Sequence, residues 1–208
     1  MFARKKDEAD KLINIGLENN LEVQACVFYR HPSEVQAMID LCNSHNIPVT
    51  SGFFMKSYDE AKRIIEYCVS NGVTPTGTMF TKSASEIEDI INKCSELGIE
   101  ASGTVFLRTA SEIEEINNIC KKYGIKTNGC VFGRRPEEIR SITDICVERG
   151  IEITGSVFKR SPEEFKEILD ICREFGIEYS PSILKKDAKS LRDSINYVKD
   201  TYGNGFLL

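Results

Sequence analysis

Nowhere does the sequence hold an apolar run approaching the ~18 residues that a membrane helix needs. The opening Met1-Phe2-Ala3-Arg4-Lys5-Lys6-Asp7-Glu8 lacks the apolar stretch of a secretory signal. We therefore expect neither a membrane partner nor export. Histidine is scarce: His31 and His45 are the only two, and neither stands in a Ser/His/Asp, Cys/His or H-E-x-x-H arrangement. Eight cysteines are present, yet no C-x-x-C occurs, so the short ligand spacing of a zinc site is missing. There is no Gly-rich phosphate loop, no linker and no low-complexity tract. These absences lead us to expect no catalytic residue, no metal and no cofactor. The net charge of −5 argues against a uniformly basic nucleic-acid binder, although a mean can hide segregated charge.

What is present is a repeat. The length, 208 residues, equals eight units of 26, and phenylalanine recurs at that period at Phe2, Phe28, Phe54, Phe80, Phe106, Phe132 and Phe158, with Leu184 next in phase. A period of this size indicates a repeat array rather than an ordinary globular domain. The residue before each Phe is apolar, as in Val27, Phe53, Met79, Val105, Val131, Val157 and Ile183. Fourteen residues after it come Cys42, Cys68, Cys94, Cys120, Cys146 and Cys172, then Val198. Glycine follows at Gly72, Gly98, Gly124, Gly150 and Gly176, and an apolar residue follows that.

The long segment of each unit reads as a helix of about 14–15 residues. Ser161-Pro162-Glu163-Glu164 offers an N-cap, Pro at the first helical position and Glu at the third. Ser83-Ala84-Ser85-Glu86 and Thr109-Ala110-Ser111-Glu112 repeat the capping pattern. Phe165, Ile168, Leu169, Ile171 and Cys172 keep helical spacing, and Gly176 ends the helix where a left-handed residue is favoured. The short segment, such as Thr154–Arg160, is ambiguous. As a strand it would make each unit βα and the array a barrel. A strand buried on both faces should be nearly all apolar, and this one is not. Ser180-Pro181 reads as an N-cap with Pro behind it, and Pro would damage a central strand. The expectation is an all-α, αα solenoid of eight helix-turn-helix repeats, with a short two-turn helix before each long one. A βα repeat barrel is the alternative. We expect one elongated domain over 1–208. Both ends fall mid-unit, which leaves open whether the array continues.

The Phe column reads as core. The Cys column reads as small packing residues in a helix–helix seam, since stacked helices ~8–10 Å apart keep equivalent cysteines out of disulfide reach. Cys26 and Cys130 share a second small-residue column. Eight unpaired cysteines suit a reducing cytoplasm. The Glu column (Glu34, Glu60, Glu86, Glu112, Glu138, Glu164) reads as capping and helix-dipole chemistry.

The informative column lies two residues after each Phe. It is basic in all eight units: Arg4, Arg30, Lys56, Lys82, Arg108, Arg134, Arg160 and Lys186. In a solenoid these align into a positive stripe. Like charges in a row repel, so stability alone does not obviously call for them, although a cation can bond the last carbonyls of a short helix. The residue just before drifts freely: Tyr29, Met55, Thr81, Leu107, Gly133, Lys159 and Lys185.

The run Tyr179-Ser180-Pro181-Ser182-Ile183-Leu184-Lys185-Lys186-Asp187-Ala188-Lys189-Ser190-Leu191, with Gly-Ile closing most earlier units, resembles repeats of the mitochondrial transcription termination factor family. More loosely, it is similar to TAL-effector-like repeats. The resemblance implies an α-solenoid that binds DNA or RNA, with the basic column on the phosphates and the column from Tyr29 to Lys185 as the candidate for base contacts. If all eight cations engaged a duplex, log K against log salt would slope at about −7. Replacing Arg108 and Arg134 should then weaken binding without unfolding the protein. The other reading is a protein-interaction scaffold whose basic stripe meets an acidic protein segment.

Overall fold

A computed structural model of the chain describes residues 5–203. Phe2 and Arg4, the first members of their columns, lie outside the described residues. The long segments are helices as expected: α1 (Lys6–Glu18), α2 (Pro32–Ser44), α3 (Tyr58–Ser70), α4 (Ala84–Leu97), α5 (Ala110–Tyr123), α7 (Pro136–Arg149), α8 (Pro162–Glu174) and α9 (Ala188–Tyr202). No strand occurs among the described residues, so the βα alternative falls. The fold is all-α.

The short segments differ from expectation. Most are short 3-10 segments: single turns of three residues at Val27–Tyr29, Met79–Thr81, Val157–Lys159 and Ile183–Lys185, and five residues at Ser51–Met55 and Gly103–Leu107. One is a single α-turn, α6 (Gly129–Phe132). None completes a two-turn α-helix, because the basic column residue next in the chain is extended. Arg30 has ψ 147°, Lys56 154° and Arg160 155°. That conformation breaks the helical run and delivers the chain to the N-cap of the next helix.

Each long helix then starts and stops by local chemistry. Ser83 and Glu86 form a reciprocal capping box, with the Ser83 amide donating to Glu86 Oε2 at 2.8 Å. The Ser161 hydroxyl accepts from the Glu164 amide at 3.2 Å. At the far end Gly98, Gly150 and Gly176 are left-handed at φ 65–67°. The amide after each returns to the Cys column carbonyl five residues earlier: Ile99 to Cys94, Ile151 to Cys146 and Ile177 to Cys172, all at 2.8 Å. This is a Schellman closure. Asn20 and Asn46 adopt the same left-handed turn without glycine.

Contacts divide the chain into two compact units, Met1–Ala110 and Ser111–Leu208. In the first, α1 packs on α2, α2 on α3 and α3 on α4. In the second, α7 packs on α8 and α8 on α9. Within each unit these helices pack against their sequence neighbours, as in a solenoid. Phe54, Phe80, Phe106, Phe132 and Phe158 are buried, and so are Val27, Phe53, Met79, Val105, Val131 and Val157 before them. In the first unit Phe53 meets Phe80 edge-on at 4.6 Å between ring centroids. No helix among the described residues is long and apolar enough to cross a membrane.

All eight cysteines are free, and those at Cys42, Cys68, Cys94, Cys120, Cys146 and Cys172 are buried. Burial pushes the first five of these thiols up to about 11 and raises Cys172 as well. The thiolate is the reactive form. At pH 8 a disulfide exchange reagent should therefore label half-buried Cys26 and Cys130 first. The other six should respond only in denaturant. Rapid labelling of six or more thiols in the native protein would contradict this packing.

Candidate nucleic-acid interface

The basic column sits where each short turn ends and the next long helix begins. Its arginines do not stand free. Arg30 donates from Nε to the Phe54 carbonyl at 3.1 Å and from Nη2 to the Met55 carbonyl at 3.2 Å. Arg134 Nε donates to the Phe158 carbonyl at 2.9 Å. Arg160 donates from Nε and Nη2 to the Leu184 carbonyl at 3.1 and 3.0 Å. Each guanidinium therefore reaches the turn of the next repeat. A carbonyl at the end of a short helix has no partner within it, and the guanidinium supplies one.

The Glu column supplies the counter-charge. Arg30 pairs with Glu34 at 3.4 Å, Arg134 with Glu138 at 3.1 Å and Arg160 with Glu164 at 3.3 Å, each four residues on. Lys56 and Lys82 reach the Glu column but, among the described residues, no carbonyl: Lys56 to Glu60 at 3.3 Å and Lys82 to Glu86 at 3.9 Å. An ammonium is a point donor, whereas the guanidinium fork serves a carboxylate and a carbonyl together. Arg108 is buried at 9% exposure. Lys186, exposed, donates to the Ser194 hydroxyl at 2.7 Å. Arg30, Arg134 and Arg160 are thus built into the repeat-to-repeat contact, and at five positions a carboxylate offsets the like-charge repulsion that the spacing implies.

Glutamate has two roles here. Glu86 and Glu138 accept from the N-cap amides of Ser83 and Arg135. Glu34 instead accepts from the Tyr58 amide at 3.3 Å, at the start of the next helix. Sequence reading assigned the capping and missed the pairing. The signal was available as a cation four residues before each Glu.

The drifting column is exposed. Tyr29 is 81% exposed, Met55 60% and Leu107 50%, giving the first unit a set of solvent-facing apolar side chains. Thr81 is exposed but donates its hydroxyl to the Thr78 carbonyl at 2.7 Å. Gly133, Lys159 and Lys185 are exposed in the second unit. Among the described residues the Lys159 and Lys185 ammoniums have no ion pair. With exposed Arg135, which pairs with Glu137 at 4.0 Å, and with Lys186, they make the turn edge of the second unit cationic. No group of His, Cys, Asp or Glu among the described residues is arranged to hold a metal ion.

Compared with known protein families, with curated proteins and with solved structures, the chain matches none.

Proposed function

We propose that this chain is a nucleic-acid-binding helical-repeat protein with no catalytic role. The observation that carries the reading is the cationic turn edge of the second unit, where Lys159 and Lys185 are exposed and lack an ion pair among the described residues. The resemblance of the Tyr179–Leu191 run to transcription termination factor repeats supports it. The phosphate contacts are drawn from Arg135, Lys159, Lys185 and Lys186. In the basic column, Arg30, Arg134 and Arg160 serve mainly to lock successive turns together, and their pairing with Glu reduces what they offer a phosphate. Eight free thiols fit a reducing compartment, and we place the protein in the cytoplasm.

The test is a salt-dependent titration of single-stranded and duplex DNA and RNA. About four engaged phosphates give a slope of log K against log salt of about −3.6 on a duplex and about −2.8 on a single strand, well short of the −7 implied by a full stripe of eight on a duplex. Absence of binding to any of the four polymers at low salt overturns the reading.

A specific observation favours a second reading, the protein-interaction scaffold. Tyr29, Met55 and Leu107 expose apolar surface in the first unit, and such side chains are enriched at interfaces. An acidic partner segment would meet the cations instead of a phosphate. A partner that survives nuclease treatment, and is lost when Tyr29 and Met55 are changed to Ser, would decide for this second reading.

A further inference from the structure

The second unit holds an open cleft of about 740 Å³ between the turns Val157–Lys159 and Ile183–Lys185. Ser156, Lys159 and Arg160 line one side, and Ser182, Leu184 and Lys185 the other. We infer that this cleft seats a phosphate group, and, resting on the nucleic-acid reading above, that the phosphate belongs to a nucleic-acid strand.

Three observations converge. The charge is available: Lys159 and Lys185 are exposed and free of ion pairs among the described residues, and no carboxylate lines the cleft. The nearby acids are already occupied. Glu164 is held by Arg160 at 3.3 Å, and Asp187 accepts from the Ser190 amide and hydroxyl at 2.6 and 3.0 Å. The wall is fixed, because Arg160 Nε and Nη2 both bond the Leu184 carbonyl across the cleft.

Hydroxyl donors stand beside the ammoniums. Ser156 shares a hydrogen bond with Thr154 at 2.6 Å, and Ser182 shares one with Ser180 at 2.7 Å. A hydroxyl pair uses one hydrogen internally and leaves the other free to donate. Two adjacent repeats therefore present the same set, Ser156 with Lys159 and Ser182 with Lys185, to one space. Two ammoniums and two hydroxyls suit the several oxygens of a phosphate, which an ammonium meets as a point charge from any direction. Duplication of an ancestral unit does not account for this. The equivalent pairs elsewhere are Cys26 with Tyr29, Gly52 with Met55, Thr78 with Thr81, Thr104 with Leu107 and Cys130 with Gly133, and none combines a serine with a lysine.

The experiment compares the full chain with the double variant Lys159→Ala/Lys185→Ala. Both side chains are exposed, so the fold is retained, and Lys166→Ala/Lys189→Ala on α8 and α9 provides a control of equal charge. The probes are a labelled oligonucleotide in single-stranded and duplex forms, followed by anisotropy, and inorganic tripolyphosphate, followed by backbone amide NMR shifts. We expect the first variant to bind the oligonucleotide at least ten-fold more weakly and the control to bind as the parent does. Parent and variant binding the oligonucleotide equally would overturn the seat and leave the nucleic-acid reading standing. If no oligonucleotide binds, but tripolyphosphate shifts Ser156, Lys159, Ser182 and Lys185 only while both lysines are present, the seat stands for free polyphosphate. The nucleic-acid reading then falls. Silence with both probes overturns both.

Discussion

Arg160→Ala is expected to lower the stability of the second unit by about 2–3 kcal/mol, read as a shift of its urea midpoint by circular dichroism. The guanidinium makes two hydrogen bonds to the Leu184 carbonyl and one ion pair to Glu164 with its side chain only 22% exposed. Hydrogen bonds to a charged group contribute about 1.5–3 kcal/mol, and an i,i+4 ion pair adds about 0.3–0.5 kcal/mol. Removing the side chain leaves a carbonyl at the end of a turn and a half-buried carboxylate, both without their partner. Arg160→Lys should recover the smaller part. At the equivalent places Lys56 and Lys82 reach the Glu column and no carbonyl among the described residues. Arg134→Ala, with one carbonyl bond and a 3.1 Å pair to Glu138, should show a somewhat smaller loss of the same kind. An Arg160→Ala protein with an unchanged midpoint would show that the contact between turns contributes nothing. Spacing alone led to the expectation that Arg108 and Arg134 can be replaced without unfolding the protein; the contacts of Arg134 add a stability cost to that replacement.

That added cost shows where sequence reading stops. The long helices were legible because their signals are local: Ser83 and Glu86 three apart, Ile spacing along one face, and Gly98 at the turn. The left-handed glycine and the apolar residue after it belong to one closure motif, so both columns could be read together. The length of the short element was not legible. Ser180-Pro181 fits the start of a helix, and only the extended backbone at Lys186, ψ 143°, shows that the run lasts one turn. The function of the basic column was hidden for a different reason. Arg30 meets Phe54 across 24 residues, and a contact at that separation follows from how repeats stack, not from any pattern within one unit. A periodic cation looks the same whether its partner is a phosphate or the carbonyl of the next turn. Lys159 and Lys185 were visible in the drifting column, but their freedom from ion pairs is a property of the folded chain.

The buried thiols set a second large effect, an alkaline limit to stability. Cys42, Cys68 and Cys94 in the first unit have thiols pushed up to about 11 by burial, against 9.0 in an unfolded chain. Folding here raises the affinity for a proton. The stabilisation is therefore fully present below pH 9 and is lost as pH rises towards 11, because the unfolded chain ionises first. By pH 11 each thiol removes about 2 kcal/mol, and three act on one unit, a total comparable with the whole stability of a small domain, about 5–15 kcal/mol. The second unit carries the same liability at Cys120 and Cys146, and Tyr179, pushed up to about 12, extends it to higher pH. Helical signal at 222 nm should hold to about pH 9 and collapse cooperatively between there and pH 11. Valine stands in this column at Val198, so the position accepts an apolar side chain of similar size. Cys68→Val/Cys94→Val leaves one titrating thiol of the three and should cut the slope of stability against pH to about a third in the first unit. Its alkaline midpoint should move upward while its stability at pH 7 changes little. A midpoint unmoved by both substitutions would mean that something other than the cysteine column controls the alkaline transition.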